Sequence, residues 1–112
     1  MSKPVIFIST CEFSGDMHGE ALIGAIKKKA PDAVFYGIGG AQMAKAGMES
    51  LFDPTRISTL GFIEALKNIR SLKKVIKVAV AEWKKRRPDI VIWLDSWGFN
   101  ILLAKEAKKM GI

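Results

Sequence analysis

Only one cysteine, Cys11, and one histidine, His18, occur among the 112 residues. A single cysteine permits no internal disulfide and suits a reducing cytosol. With so few soft ligands and no cluster of His, Cys or carboxylates at ligand spacing, no structural metal and no cofactor are expected. No apolar run approaches the ~20 residues that cross a bilayer. The amino terminus has one lysine ahead of a strand-like run and lacks a signal-peptide cleavage pattern. Neither a Walker A loop nor a G-x-G-x-x-G fingerprint is present, so a nucleoside-triphosphate site has little support. Internal repeats, linkers and low-complexity tracts are missing too.

Acid is also scarce. Eleven Asp and Glu face 18 Lys and Arg, a net charge of +7. That balance points to anionic partners: nucleic acid, phosphorylated ligands or acidic lipid heads. A hydrophobic fraction of 49% excludes disorder, and the length suffices for one domain with one core.

What is present alternates between strand-like and helix-like stretches. Lys3–Thr10 reads as a buried strand, leading through the small and polar loop Cys11–Asp16 into a helix from about Asp16 to Lys29. Leu22, Ile23, Ala25 and Ile26 give that helix an apolar face, and Lys27, Lys28 and Lys29 suit its negative carboxyl end. Pro31 and Asp32 stop it. Ala33–Ile38 is a second strand, closed by Gly39 and Gly40, with a short helix at Ala41–Ala46. Strand–helix–strand at this spacing is a βαβ unit with parallel strands. Met48–Phe52 offers a third strand, and Asp53-Pro54-Thr55 a turn away from it.

From Gly61 the pattern is helical for about twenty-five residues, breaking at Asn68 or Ser71 if it is two helices. Leu66, Ile69, Leu72, Ile76, Val80 and Trp83 recur at three- and four-residue steps between lysines and arginines. A core stripe with a solvated basic face explains this. A membrane-surface segment, with Ile63, Leu66, Ile69 and Leu72 touching acyl chains, explains the earlier part equally well. Pro88 ends the helix, and Ile90–Leu94 reads as a strand buried on both faces. Ile101–Met110 makes a last helix with Gly111 as its C-cap. The stop at Ile112, where an α/β chain would begin another strand, suggests part of a larger doubly wound domain.

Three loops are placed for chemistry. Asp95 follows the last strand, and ligands of open α/β sheets gather at the carboxyl ends of strands; it serves either chemistry there or the capping of the next helix. Glu12-Phe13-Ser14-Gly15-Asp16 joins a strand to a helix amino end, where N–H groups favour an anion and Gly15 admits a close ligand. Ser14 or Asp16 as a plain helix cap is the simpler account, whereas Glu12 lies ahead of the cap position. Gly37-Ile38-Gly39-Gly40 allows a tight turn or close approach of a ligand. His18, alone near a helix start, is either a surface residue or a phosphate ligand or acid.

Together these stretches resemble one family. Glu12–Asp16 resembles the G-E-x-S-G-D loop of lipid-A-disaccharide synthase. Gly37–Gly40 with Met43 and Gly47 resembles its G-(I/V)-(G/A)-G-x-x-M-x-x-x-G stretch. Leu60–Glu64 is similar to its M-G-(x)-x-E segment, and Arg87–Asp89 through Asp95 and Asn100 resembles (R/K)-P-D-…-I-D-x-P-D-F-N. The order and spacing match over nearly the whole chain. Two departures stand out: Trp97 and Gly98 replace the signature's Pro and second Asp, and Cys11 stands where the family usually has Gly.

The resemblance implies an α/β, Rossmann-like parallel sheet: residues 1–112 as the incomplete amino-terminal, acceptor-side domain of a GT-B glycosyltransferase, without its carboxy-terminal UDP-sugar domain. It implies an inverting β1→6 transfer from UDP-2,3-diacylglucosamine to 2,3-diacylglucosamine 1-phosphate at the cytosolic face of the inner membrane of Gram-negative bacteria. This fragment alone would be inactive unless a separate donor half completes it. Asp95 would be the catalytic base; Glu12, Ser14, Gly15, Asp16, Gly39 and Gly40 would bind substrate, and Asn100 would support the Asp95 loop. Partners would be these two sugars, an acidic membrane surface and a donor-domain half, with no nucleic acid. The alternatives are another GT-B enzyme acting on a UDP-sugar, or a non-catalytic basic module for membrane or nucleic acid.

Overall fold

Val5-Ile6-Phe7-Ile8-Ser9 is the strand with the most to bury, and it takes the most buried place. A computed structural model describes residues 3–52, 69–95 and 98–112. In it β1 (Val5–Ser9) pairs in parallel with β2 (Val34–Ile38) on one side and with β4 (Ile90–Trp93) on the other. β3 (Met48–Phe52) adds to β2, giving a four-stranded parallel sheet in the order β3-β2-β1-β4. The register sets Phe7 opposite Tyr36 and Val91, and Ile8 opposite Gly37 and Ile92.

Alternation along β1 divides the core between two faces. Ile6 and Ile8 pack with Phe35, Met43, Met48 and Ile23, under α1 (Phe13–Lys29) and α2 (Ala41–Lys45). Phe7 goes to the other face, with Tyr36 and Ile38, beneath α3 (Ile69–Lys85) and α4 (Gly98–Lys109). There its ring meets Tyr36 and Trp83 edge-on, each at 5.2 Å between centroids. Such pairs add about 0.5–1.5 kcal/mol each beyond burial. The result is a helix–sheet–helix sandwich, as expected for the parallel α/β class.

Gly37 is required by the sheet itself. A Cβ there would fall 1.9 Å from the Ile8 carbonyl oxygen, a clash with backbone that nothing nearby relieves. The carboxyl end of α4 closes as read from the sequence. Gly111 sits at φ 75, its N–H bonding the Lys108 carbonyl, while Ile112 N–H reaches the Ala107 carbonyl at 3.0 Å. That pair of bonds is the Schellman pattern, and Ile112 packs against the core cluster as the motif prefers.

Several boundaries differ from the sequence reading. α1 begins at Phe13, three residues early, which makes Glu12 its N-cap position. Its buried face includes Gly15, Asp16, Gly19 and Ile23, while Ala25 is exposed. The glycines let the helix lie close: a Cβ at Gly19 would meet Met43 Sδ at 2.5 Å. α4 likewise begins at Gly98, so Asn100 lies in its first turn. β4 is not fully buried. It stands at the edge of the described sheet, where Ile90 is 50% exposed and Val91, Ile92 and Trp93 are half-buried. α3 runs unbroken through Ser71. Asn68, Ile63 and Leu66, like the turn at Asp53–Thr55, lie outside the described residues, and Ile69 and Leu72 fall within the first four residues of α3.

Candidate functional site

The carboxyl ends of β1 and β4 lie side by side, and each strand ends in polar residues. β1 runs out of apolar side chains at Ser9 and Thr10, both fully buried. β4 ends at Trp93, and two residues later Asp95 turns back over β1. The ladder extends one step further through Leu94 N–H to the Ser9 carbonyl at 3.0 Å, which fixes the Asp95 loop against β1.

Asp95 is held by three neutral donors. Its Oδ2 accepts from the Thr10 hydroxyl at 2.8 Å and from the Cys11 backbone N–H at 2.7 Å. Its Oδ1 accepts from Asn100 Nδ2 at 2.7 Å. A carboxylate offers about four lone-pair directions, so roughly one remains for a ligand. Asn100 is itself fixed: it is 2% exposed, its Oδ1 accepts from the Ser9 hydroxyl at 2.6 Å, and its Nδ2 also faces the Asp95 and Ser9 carbonyls at 3.2 and 3.3 Å. Asn100 thereby joins the Asp95 loop to the end of β1. Ser9 and Thr10 were not singled out by sequence; two hydroxyls closing an otherwise apolar strand were the available signal.

Gly15 contributes by absence. A Cβ there would lie 1.8 Å from Thr10 Oγ1 and 3.5 Å from Asp95 Oδ2. The space expected for a ligand is taken by the Thr10 side chain, so this glycine brings α1 onto the Asp95 network. Glu12, half-buried at the α1 N-cap, receives the exposed Ser14 hydroxyl on Oε2 at 3.4 Å, while its N–H reaches Thr10 Oγ1 at 3.3 Å. Glu12, Ser14 and Asp95 thus gather around one loop at the sheet edge. Cys11 lies beneath them. Burial, then the negative fields of Asp95 and Glu12, push its thiol up from 9.0 to about 12. It stays protonated and packs as a small apolar residue rather than acting as a nucleophile.

Asp16 is turned the other way. It is 1% exposed, and its carboxylate accepts from the N–H groups of Gly40 at 2.8 Å, Met43 at 3.1 Å and Gln42 at 3.1 Å. These are the orphan donors at the amino end of α2, whose own N-cap Gly40 has no side chain to offer. So α1 lends α2 its cap. Gly39 and Gly40 belong to the same junction. Gly39 N–H bonds the Phe52 carbonyl at 3.2 Å, and a Cβ on Gly39 would meet Met43 Sδ at 2.6 Å. The N–H groups of both glycines are engaged within the chain, and Asp16 caps α2 rather than α1. His18 is exposed on α1. Gly98 is exposed at the start of α4, with nothing within 4 Å of a Cβ built on it. Among the described residues, no group of three or more His, Cys, Asp or Glu is arranged to hold a metal ion.

Known proteins resemble this chain along nearly its whole length. The family model described as lipid-A-disaccharide synthetase matches residues 6–112. Among curated relatives, the lipid-A-disaccharide synthase of Myxococcus xanthus is 37% identical over 111 residues, covering 99% of this chain. That of Nitrosococcus oceani is 39% identical over 111 residues, again 99% of this chain, and that of Neisseria meningitidis 37% over 110 residues, or 98%. In each case the alignment takes in 29% of the relative's own length. With the family match running from the second residue of β1 to Ile112, the chain belongs to the lipid-A-disaccharide synthetase family.

Proposed function

We propose that the protein carrying this chain is an inverting glycosyltransferase that builds the lipid A disaccharide, and that this chain forms its acceptor side. The 6-hydroxyl of 2,3-diacylglucosamine 1-phosphate attacks the anomeric carbon of UDP-2,3-diacylglucosamine. The new C–O bond forms as the bond to the UDP oxygen breaks, and UDP leaves with the electron pair. Asp95 takes the hydroxyl proton. Thr10, the Cys11 N–H and Asn100 orient its carboxylate, leaving one oxygen direction toward the sheet edge. Glu12 and Ser14, on the adjoining loop, bind sugar hydroxyls. Asp16, Gly39 and Gly40 position rather than bind, since their polar groups are engaged within the chain.

The UDP-sugar is held by a further domain or half, a reading supported by the 29% of relatives that this chain spans. The work is done at the inner face of the inner membrane by peripheral contact. Among the described residues no helix is long and apolar enough to cross a membrane. Ile63, Leu66, Ile69 and Leu72 touch the acyl chains of that membrane, and the basic residues between them in sequence meet its acidic heads.

The observation that carries the reading is a carboxylate held by three donors at the carboxyl edge of a parallel sheet, inside the family's acidic signature. Steady-state assay of the full-length protein with both sugars tests it. Asp95→Asn is expected to lower kcat at least about a hundredfold with little change in KM. Near-normal turnover in that variant would remove Asp95 as the base.

A further inference from the structure

Away from Asp95, the carboxyl ends of β2 and β3 meet α3 around a cavity of about 440 Å³. Ile38, Leu51, Phe52, Val75 and Val78 line it, with Lys74 as the charged residue of its wall. Ile38 forms its buried floor, while Lys74 and Val78 are exposed, so the cavity opens beside α3. A space lined by such side chains excludes water and takes apolar matter. The positive charge at the rim selects among apolar ligands for one with an anionic head.

Its place in the sheet relates it to the proposed centre. In the order β3-β2-β1-β4, the end of β3 lies three strand spacings from the end of β4, about 14 Å at the usual inter-strand distance. Both ends are on the same edge of the sheet. A sugar seated at Asp95 therefore has an apolar recess within reach of a long chain attached to it.

We infer that this cavity receives an acyl chain of an anionic lipid substrate whose sugar lies at Asp95, with Lys74 giving the rim its preference for the anion. The identity of the lipid rests on the acceptor reading above; the cavity's preference for a long chain with an anionic head does not. Chain length is then sensed on the β2–β3 side of the sheet, and the hydroxyl is deprotonated on the β1–β4 side.

Calorimetric titration of the full-length protein with dodecyl phosphate, below its micellar concentration, tests this without reading turnover. Dodecyl phosphate is expected to bind saturably, and butyl phosphate at least about tenfold more weakly. Val78→Trp fills the cavity from its open side. It is expected to weaken dodecyl phosphate about tenfold while leaving the melting temperature unchanged, and Lys74→Gln to weaken dodecyl phosphate but not dodecanol. Equal affinity for the two phosphates would overturn the inference, leaving only an anion contact. So would undiminished dodecyl phosphate binding in Val78→Trp. No binding to the unaltered protein, with a lowered melting temperature in Val78→Trp, would also overturn it and show the cavity filled from within the chain. Absence of transferase activity would sink the proposed function and leave the binding result standing.

Discussion

Asn100 Nδ2 stands 2.7 Å from Asp95 Oδ1, tying the first turn of α4 to the loop that leaves β4. The same side chain accepts the Ser9 hydroxyl, so a single amide connects two strand ends and a helix. Removing it leaves the Ser9 hydroxyl unpaired in a buried place. Asn100→Ala is expected to lower stability by about 1–3 kcal/mol in urea unfolding. In the full-length protein it should also lower kcat by about tenfold or more with KM nearly unchanged, because the carboxylate loses its orientation. A stability loss with unchanged kcat would make Asn100 a purely structural residue.

Asp16 gives the opposite expectation. Its three backbone donors stand at the amino end of α2, and two of them, Gly40 and Met43, are buried with it. Asp16→Ala should destabilise by at least about 2 kcal/mol, since three N–H groups lose their acceptor together. Asp16→Asn keeps one oxygen acceptor and should lose less. If Asp16 bound substrate instead, Asp16→Asn would raise KM while leaving the unfolding midpoint in place.

Gly15→Ala sets helix propensity against packing. Alanine favours a helix by about 1 kcal/mol over glycine. The added Cβ, however, would fall 1.8 Å from Thr10 Oγ1, in a buried contact. Packing is expected to win, with a net loss of about 1–3 kcal/mol and a fall in kcat as Thr10 leaves Asp95. Adding Thr10→Ala removes the shorter contact, so the double variant should be more stable than the sum of the two single changes predicts. Strict additivity in thermal unfolding would mean that the two residues do not compete for space.

These cases mark what the sequence discloses. The strands are legible because β1, β2 and β4 are short apolar runs closed by small or polar residues, and Asp95 is legible because it ends one of them. Asn100 was reached through the signature it completes. The partner of Asp16 was not, because its acceptor role depends on donors 24 to 27 residues away, brought near only when α1 packs on α2. Glu12 was placed ahead of the cap because the apolar period of α1 starts late: its first buried positions include Gly15, Asp16 and Gly19, none of which carries an apolar signal. The half-exposure of β4 follows from its position at the edge of the described sheet, and strand order is not written in local pattern.

Alkaline pH should weaken the fold through two buried acids. Burial is the main cause in both. It pushes the Cys11 thiol from 9.0 to about 12, with Asp95 and Glu12 adding to the shift. It raises Tyr36 from 10.0 to about 12, against the Arg86 guanidinium, which lies 4.1 Å over its ring and lowers it, and with a small contribution from Glu82. The unfolded chain releases these protons first, so the folded state holds more of them between pH 9 and 12. Stability is then full below about pH 9 and falls as pH rises, by up to about 1.4 kcal/mol per unit for each group. Urea unfolding across pH 8 to 11 should show this decline, and Cys11→Ala should flatten its first part. A stability that is level or rising over that range would contradict the assignment.

By the resemblance of its loop to the family signature, Gly98 stands where that signature has its second acid, and the structure leaves room for one. Nothing lies within 4 Å of a Cβ built there, and the residue is exposed at the first position of α4. A carboxylate at the amino end of a helix meets unpaired N–H groups and the positive end of the dipole. Glycine also costs more backbone entropy than aspartate in a helical residue. Gly98→Asp is therefore expected to raise stability by about 0.3–1 kcal/mol, less in high salt. Asp95 has its own three donors and does not need a neighbour to hold it, so turnover of the full-length protein should change by less than about twofold. A gain of tenfold or more, without a gain in stability, would show that the signature's second acid takes part in the chemistry rather than in starting the helix.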